Sequence, residues 1–366
     1  MKIDEKVYRT IWPIVGADSQ KNDAVFSVGI IDQNMLPHRF EIRELAKLDD
    51  MILAINTMQV RGAPLIGAAA AYGMALSVQE NASDTHLEKS AKALLQSRPT
   101  AVNLRWAVNR MQKRLTATPP EARNQIAWLE AALICNEDVQ INHAIGQHGL
   151  KMIQSMAAKN KKEVFNILTH CNAGWLATVD WGTALAPIYA AHDARMNIHV
   201  WVDETRPRNQ GASLTAWELG KHGVPHTVIS DNAGGHLMQH GQVDMVIVGA
   251  DRVTSTGDVC NKIGTYLKAL AAFDNQVPFY AAVPSPTIDW TINDGLNDIE
   301  IEMRHADEVS YISGLGDDGD IKRLRLTPTH SHAINPAFDV TPARLVSGII
   351  TERGITQPAF LKTLFD

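Results

Sequence analysis

The sequence VFNIL at residues 164–168 is the first of five short apolar runs that decide the fold. The other four are IHVWV at 198–202, HTVI at 226–229, MVIV at 245–248 and FYAAV at 279–283. These runs are rich in β-branched residues, which is typical of buried strands. Segments of helical character separate them, for example at 184–194, 213–221 and 265–273. Strands that alternate with helices predict a parallel sheet that is covered on both faces.

The N-terminal part of the chain has a different pattern, in which a few short strands precede a mainly helical region. Residues 25–31 run apolar like a strand, and a helix is expected to run from Glu121 toward Cys135. We therefore predict an α/β protein of two domains. Residues 1–142 form a smaller, mainly helical domain with a short sheet, and residues 143–366 form a Rossmann-like domain.

Composition limits the classes of function. Of the 366 residues, 45% are hydrophobic and 20% are charged, as in folded globular proteins. The 34 basic and 40 acidic residues give a net charge of −6, which argues against broad nucleic-acid binding. The longest apolar stretch, at about 63–76, is too short to span a membrane. The three cysteines form no disulfide framework, and no signal peptide is evident, so we expect a cytoplasmic protein.

Polar residues follow each of the five predicted strands. In open parallel sheets, ligands bind beyond the carboxyl ends of the strands. The polar segments that we expect at this edge are 169–174, 203–206, 230–232, 249–252 and 284–285. They contain most of the residues to which chemistry can be assigned, although loops are polar for other reasons as well.

Cys171 follows the first strand, at what we expect to be the N-terminus of a helix. A thiol in that position has a lowered pKa, because the positive end of the helix dipole stabilises the thiolate. The alternative is a buried and inert cysteine, which is the commoner case.

Asp251 follows the apolar strand 245–248 and precedes Arg252. Partial burial of a carboxyl group at the end of such a strand raises its pKa toward the value that a general acid needs near neutrality. The alternative is a cap of a turn or helix, or an ion pair with Arg252.

Three segments combine a cation with the expected start of a helix. They are Arg61-Gly62-Ala63-Pro64, Arg98-Pro99-Thr100 and Asn261-Lys262-Ile263-Gly264-Thr265. A cation beside the free backbone amides of a helix start makes an anion site. Each segment alone is weak, since Arg and Lys usually lie on solvated surfaces.

No metal and no cofactor is predicted. The histidine pairs 236/240, 222/226 and 330/332 lack the glutamate and third ligand that make such spacing diagnostic. Neither the glycine pattern of dinucleotide-binding folds nor the phosphate loop of nucleotide-binding proteins occurs in the sequence.

Together, seven ordered segments resemble the motifs of the methylthioribose-1-phosphate isomerase family. They are 61–67, 98–104, 169–174, 204–207, 210–212, 249–252 and 261–266. The resemblance runs from about residue 10 to the segment 350–354. It implies a small N-terminal domain on a Rossmann-like domain, a homodimer, and no cofactor.

The resemblance also implies roles for individual residues. Cys171 matches the catalytic cysteine of the family, and Asp251 matches its catalytic acid. The positions that match its substrate-binding residues are Arg61, Gly62, Ala63, Arg98, Gln210, Asn261 and Lys262. The implied reaction converts 5-methylthioribose 1-phosphate to 5-methylthioribulose 1-phosphate in methionine salvage.

Three places depart from the commonest family pattern, namely Trp175, Asp180-Trp181 and Arg208-Asn209. They leave the catalytic pair intact but concern the far end of the substrate, so 5-deoxyribose 1-phosphate is an alternative substrate. Ribose 1,5-bisphosphate is another, for which Arg208 is the candidate cation for the second phosphate. Regulatory subunits of a translation-initiation exchange factor share the superfamily, and a non-catalytic sugar-phosphate-sensing protein is the remaining alternative.

Overall fold

The computed structural model describes residues 1–16, 26–160 and 162–366. Its N-terminal part contains short antiparallel strands followed by helices. The strands of this part are β1 (Lys2–Ile3), β2 (Lys6–Val7), β3 (Ile11–Val15), β4 (Phe26–Ile31) and β5 (Ile42–Leu45). Strands β3, β4 and β5 form an antiparallel sheet in chain order. The predicted strand 25–31 corresponds to β4, and Val25 lies outside the described residues.

Five helices follow, and one of them is buried on nearly every side. They are α1 (Leu48–Asn56), α2 (Ala63–Glu80), α3 (Asp84–Ser97), α4 (Val102–Thr116) and α5 (Pro120–Asn160). Alanine and glycine occupy much of α2, so the neighbouring helix α4 approaches closely. A Cβ atom on Gly67 would lie 3.1 Å from the carbonyl oxygen of Asn103 at the start of α4. Small side chains therefore set the position of α2 and of the segment that precedes it.

Helix α5 is much longer than the predicted helix at 121–135. Its 41 residues make a rod roughly 60 Å long. Its first half packs in the N-terminal core through Cys135, and its second half packs against the C-terminal sheet through Ile145 and Ile153. The domain boundary predicted between residues 142 and 143 lies inside this helix and stays a prediction.

The C-terminal part is built on a seven-stranded sheet in the order β18-β17-β12-β9-β6-β7-β8. Its strands are β6 (Phe165–Thr169), β7 (Ile198–Asp203), β8 (His226–Ile229), β9 (Met245–Val248), β12 (Phe279–Ala282), β17 (Gly348–Thr351) and β18 (Gly354–Thr356). All neighbours are parallel except β17 and β18. The helices that connect and cover them include α6 (Leu185–Asp193), α7 (Ala216–His222), α8 (Ala233–Gln239) and α9 (Thr265–Asp274). The predicted Rossmann-like sheet is confirmed, with two further strands at one edge.

A second sheet lies beside the first and was not predicted. It has the order β13-β10-β11-β16, with β10 (Arg252–Thr254), β11 (Val259–Lys262), β13 (Ile288–Asp289) and β16 (Phe338–Thr341). A separate hairpin consists of β14 (Tyr311–Leu315) and β15 (Ile321–Arg325). The remaining α-helices of the described residues are short, namely α10 (Gly295–Asp298), α11 (Asp307–Ser310) and α12 (Leu361–Phe365). Among the described residues, no helix is both long and apolar enough to cross a membrane.

Candidate active site

All of the predicted site residues line one cavity at the carboxyl ends of the central strands. They are Arg61, Gly62, Ala63, Arg98, Cys171, Gln210, Asp251, Asn261 and Lys262. Cys171 follows β6, Gln210 follows β7 and Asp251 follows β9, so neighbouring strands of the sheet contribute these three side chains. The structure thus brings together residues that are up to 201 positions apart in the chain (262 − 61).

Cys171 does not start a helix, contrary to the sequence-based expectation. It lies in a loop with φ of +66°, and only a three-residue turn of 3-10 helix follows, at Trp175–Ala177. Its backbone N–H donates to Thr205 Oγ1 at 2.8 Å, and its carbonyl accepts from Thr215 Oγ1 at 2.7 Å. A positive φ is uncommon for a residue with a side chain, and these bonds hold it in place.

The expectation of a low pKa for Cys171 is also wrong. Burial raises the pKa of its thiol above the ordinary value, while the positive charges of Arg61 and Lys262 act in the opposite direction. The Sγ atom lies 3.5 Å from Gln210 Oε1, to which the thiol donates. The two cations, rather than a helix dipole, are therefore what favours the thiolate here.

Asp251 has the environment that was predicted for a general acid. Burial raises the pKa of its carboxyl group, and Lys262, Arg61 and Arg98 lower it in that order. Its backbone N–H donates to Cys260 O at 2.9 Å, which fixes the turn between β9 and β10. The alternative of an ion pair with Arg252 is not realised, because Arg252 instead bonds Thr100 O and lies 3.7 Å from Asp289.

Arg61 and Gly62 form the entry to helix α2, as predicted. Arg61 is buried, and its guanidinium donates to Asn172 Oδ1 at 2.5 Å and to Asn172 O at 2.8 Å. Gly62 has φ of +97°, and a Cβ atom there would lie 2.6 Å from the backbone of Ala177. Only glycine fits this junction. The first turn of α2 faces the cavity. The N–H groups of a first helical turn have no partner within the helix, so they are available to a ligand.

Arg98 has nitrogen atoms available for a ligand. Its Nη2 atom donates to Glu302 Oε2 at 2.9 Å. Its Nε and Nη1 atoms are buried, and neither has a hydrogen-bond partner among the described residues. Buried donors of this kind are rare, because leaving a hydrogen bond unmade is costly. Arg98 is therefore a strong candidate to bind an anionic group.

Asn261 and Lys262 lie at the end of β11, one strand of the unpredicted second sheet. Lys262 is buried, with its ammonium 4.6 Å above the ring of Phe338. Burial lowers its pKa, and the nearby Cys171 and Asp251 raise it. Asn261 Nδ2 donates to Thr265 Oγ1 at 3.0 Å. Lys262 thus supplies a second positive charge close to both proposed catalytic groups.

A larger cleft of about 380 Å³ adjoins this cavity and shares Met58, Arg61 and Gln210 with it. Two of the residues that depart from the family pattern, Arg208 and Asn209, line this cleft. The other departures are elsewhere: Trp175 is in the C-terminal core, and Trp181 packs on His143 with ring centroids 4.8 Å apart. Arg208 donates to Glu308 at 3.0 Å and to Asn34 Oδ1 at 3.1 Å.

The sequence alone did not identify the residues that support the cavity from behind. Asn172 binds Arg61, and Glu218 on α7 binds Asn172 Nδ2 at 2.8 Å. Glu218 is fully buried and lies four positions after the buried Leu214. A charged residue at an apolar position of a helix is the one signal that pointed to it.

One group of side chains has the composition of a metal site. Among the described residues it is His170, Asp203 and Asp231, and it includes none of the histidine pairs set aside on their sequence spacing. The ammonium of Lys268 lies 3.2 Å from Asp203 Oδ2 and donates to Asp231 O. The ammonium of Lys268 already stands beside the Asp203 carboxylate, so the group does not fit a resident metal ion.

Comparison with known proteins gives the family. Residues 59–358 match the model of the initiation factor 2 subunit family. A methylthioribose-1-phosphate isomerase of Rhodospirillum rubrum is 62% identical over 352 residues, which cover 95% of this chain and 88% of the relative. A protein of the same name from Gluconobacter oxydans is 60% identical over 355 residues, covering 97% and 95%.

The chain belongs to the methylthioribose-1-phosphate isomerase family.

Solved structures agree with this membership. A 5-methylthioribose 1-phosphate isomerase from Pyrococcus horikoshii OT3 superposes with a TM-score of 0.80 at 40% identity, over 98% of this chain and 96% of that one. A structure described as translation initiation factor eIF-2B subunit delta from A. fulgidus gives 0.78 at 36% identity, over 98% and 100%. The resemblance to methylthioribose-1-phosphate isomerases is confirmed, while the roles that it implies for individual residues stay predictions.

Proposed function

We propose that this chain converts 5-methylthioribose 1-phosphate to 5-methylthioribulose 1-phosphate, as an aldose–ketose isomerase of methionine salvage. One observation carries the proposal: the thiol of Cys171 and the carboxyl of Asp251 share a buried cavity with two Arg98 nitrogens that have no hydrogen-bond partner in the described part of the chain. A phosphate group supplies the charged acceptors that these nitrogens lack. The names of the relatives fit this chemistry.

Asp251 is assigned the opening of the sugar ring. The phosphate caps the anomeric oxygen of the substrate, so the ring has no ready free aldehyde and needs an acid to open. The raised pKa of Asp251 favours a protonated carboxyl, which donates its proton to the ring oxygen as the ring C–O bond breaks. Arg61, Arg98 and Lys262 stabilise the phosphate and the carboxylate that remains.

Cys171 is assigned the transfer of hydrogen from C2 to C1. In one route its thiolate removes the C2 proton, an enediol-like intermediate forms, and the proton returns to C1. In the other route hydride shifts directly from C2 to C1, and Cys171 stabilises the charge that develops. In both routes the C2 hydroxyl gives its proton to the Asp251 carboxylate as C2 becomes the ketone, which restores the acid. Both routes need the buried, cation-lined cavity, because low local dielectric strengthens each electrostatic interaction.

An uncharged 5-substituent fits the adjoining cleft better than a second phosphate. Arg208, the predicted partner of that phosphate, is held by the carboxylate of Glu308. The apolar side chains of Met58, Leu214 and Ile312 line the same cleft. Binding a second phosphate there costs the ion pair of Arg208 and brings the phosphate close to Glu308. The methylthio sugar is therefore preferred over ribose 1,5-bisphosphate.

We further propose a cytoplasmic homodimer that requires no cofactor and binds neither nucleic acid nor membrane. All three cysteines are buried free thiols, which suits a reducing compartment. Light scattering after size-exclusion chromatography tests the dimer, and a monomer in isolation would contradict it. A chain that assembles only with other subunits would instead indicate a regulatory role.

Proton and phosphorus NMR of the purified protein with 5-methylthioribose 1-phosphate in deuterated water tests the reaction. Appearance of the ketose phosphate establishes the activity, and deuterium at C1 identifies the proton-transfer route. Parallel reactions with 5-deoxyribose 1-phosphate and ribose 1,5-bisphosphate measure the preference at position 5. Failure to convert any of the three sugars, with binding retained, would identify a non-catalytic sensor.

A further inference from the structure

Glu218 is a buried acidic residue that does not belong to the residues lining the catalytic cavity. It accepts hydrogen bonds from Tyr189 OH at 2.7 Å, from Asn172 Nδ2 and Trp175 N at 2.8 Å, and from Leu176 N at 3.1 Å. Each carboxylate oxygen accepts two of these bonds. Burial raises the pKa of Glu218 to about 7, and these four donors act in the opposite direction. Burial of a charged group is costly unless hydrogen bonds replace its water shell, and this set provides that replacement.

The side-chain amide of Asn172 connects Glu218 to the cavity. Its Nδ2 atom faces Glu218, and its Oδ1 atom accepts from Arg61 Nη1 at 2.5 Å. An amide has one donor end and one acceptor end, whereas a carboxylate only accepts. Glu218, together with Thr215 Oγ1, which accepts from Nδ2 at 3.2 Å, therefore determines which way the amide points, and that direction gives Arg61 an acceptor.

The same carboxylate holds the loop that carries Cys171. The N–H groups of Trp175 and Leu176, a few residues after Cys171, both donate to Glu218. A Cβ atom on Gly174 would lie 1.9 Å from Glu218 Oε2, so the carboxylate packs directly on the backbone of this loop. Glu218 is thus linked to two cavity residues at once, to Cys171 through the loop and to Arg61 through Asn172.

We propose that Glu218 is a positioning residue that sets the placement of Arg61 and Cys171 for the reaction. The inference rests on the proposed function, in which these two residues act on the sugar phosphate. Glu218 itself touches no substrate. Its effect passes through the Asn172 amide and the backbone of the loop after Cys171.

A glutamine at position 218 cannot reproduce this arrangement. If its amide nitrogen takes the place of Oε1, the nitrogen faces Asn172 Nδ2 and Leu176 N. If the nitrogen takes the place of Oε2, it faces Trp175 N. All three of these groups are donors. If Asn172 turns over to present its oxygen to the glutamine, its Nδ2 then faces the guanidinium of Arg61, which also only donates. In either orientation one of these donors loses its hydrogen bond.

A charge swap provides the test. Asn172→Asp alone places two carboxylates against each other, and Glu218→Gln alone leaves at least one of the donors Asn172, Leu176 and Trp175 without its acceptor. In the double variant, the introduced glutamine amide donates to the introduced aspartate, whose other oxygen accepts from Arg61. We expect each single variant to lower kcat on the order of 10- to 100-fold, as for a displaced catalytic group. The double variant recovers a large part of that loss, a strongly non-additive result.

Alkylation of Cys171 by iodoacetamide supplies a readout that does not depend on turnover. Its rate is followed by mass spectrometry as a function of pH. In Glu218→Gln the profile moves to higher pH, with a rate about tenfold lower on its rising limb, because a displaced Arg61 no longer favours the thiolate. Looser packing alone changes the plateau rate and leaves the midpoint unchanged.

Asp244→Asn is the matched control, since Asp244 is a buried carboxylate that accepts from Asn166 N at 2.8 Å, at the opposite end of the strands. It leaves the alkylation profile as in the wild type. Additive single variants, or an unchanged midpoint in Glu218→Gln, would overturn the proposal. If Glu218→Gln does not fold, Asn172→Ser cuts the same link while Glu218 keeps its other three donors.

The two proposals fail in different ways. The proposed function alone is contradicted if the wild-type protein does not isomerise the sugar phosphate while Glu218→Gln still moves the alkylation profile. Normal turnover in the wild type with additive variants contradicts the positioning role alone.

Discussion

Arg98 and Glu302 form an ion pair of 2.9 Å between residues 204 positions apart in the chain. Arg98 directly follows helix α3, and Glu302 lies in the segment after α10. Glu302 also binds Arg304, which binds Glu308, the partner of Arg208. A chain of alternating charges therefore connects the cavity to the adjoining cleft.

Loss of Glu302 is expected to weaken substrate binding more than it slows the reaction. Glu302→Ala frees the Arg98 guanidinium from its fixed orientation, so the phosphate must order it at each binding event. We expect KM to rise about tenfold, equivalent to about 1.4 kcal/mol, with a smaller change in kcat. Steady-state kinetics measure this. Glu130→Ala, which removes an ion pair with Arg110 between α4 and α5, is the control and leaves KM unchanged.

Removal of the Lys262 charge is expected to make Cys171 less reactive. The cation lowers the pKa of the thiol against the effect of burial. Without the cation the pKa of the thiol rises, so a smaller fraction of thiolate is present at neutral pH. Each unit by which this pKa rises slows alkylation about tenfold at pH values below the pKa. Iodoacetamide kinetics of Lys262→Met against pH show the change, and the exposed Lys322→Met serves as control. An unshifted profile would mean that Lys262 does not act on Cys171.

Replacement of either proposed catalytic residue should stop turnover without unfolding the protein. Cys171→Ala and Asp251→Asn each remove a group that acts on the reacting atoms, a loss on the order of 10²- to 10⁴-fold. The isomerase assay and circular dichroism are measured on the same preparations. Substantial residual activity in one variant contradicts the role assigned to that residue.

A methyl group at Gly62 is expected to destabilise the protein and disturb the cavity. The new Cβ atom of Gly62→Ala meets Ala177 in addition to the cost of a positive φ. Gly241→Ala is the matched control, because Gly241 has φ of +65° and a Cβ atom there meets no atom of the described residues within 4 Å. We expect the control to cost about 1–2 kcal/mol from backbone strain alone, and Gly62→Ala to cost more. Equal unfolding free energies in denaturant would refute the steric argument.

The buried carboxyl of Asp138 should make stability depend on pH. Burial raises its pKa to about 7, although Val179 N donates to it at 2.8 Å. Since the folded state holds this proton more tightly than the unfolded chain, its contribution to stability is full below about pH 4 and is lost as pH rises to about 7. For one proton, the free energy of unfolding is expected to fall by at most about 1.4 kcal/mol per pH unit.

Asp138→Asn removes this contribution and keeps an oxygen for Val179 N. The free energy of unfolding of the variant therefore falls less steeply across the same pH range. Denaturant titrations of both proteins at several pH values measure the difference. Parallel curves would show that Asp138 does not bind a proton in this range.

The parallel sheet and the positions of Cys171 and Asp251 could be predicted because strand ends are a local property. Apolar β-branched runs mark the strands, and parallel strands bring their carboxyl ends to one edge. The second sheet was missed for a physical reason. Its strands are two to four residues long, and residues 252 to 341 contribute them from scattered places, so no periodic pattern develops.

The sequence by itself determined the fold class, the family and the set of residues around the cavity. Only the tertiary structure decided the state of those residues. Burial raises the pKa of Cys171, and the cations that oppose it come from before α2 and from β11, distant in the chain. Glu218 acquires its role solely through contacts across the fold. Desolvation and charge pairing depend on three-dimensional proximity, which no local pattern of residues encodes.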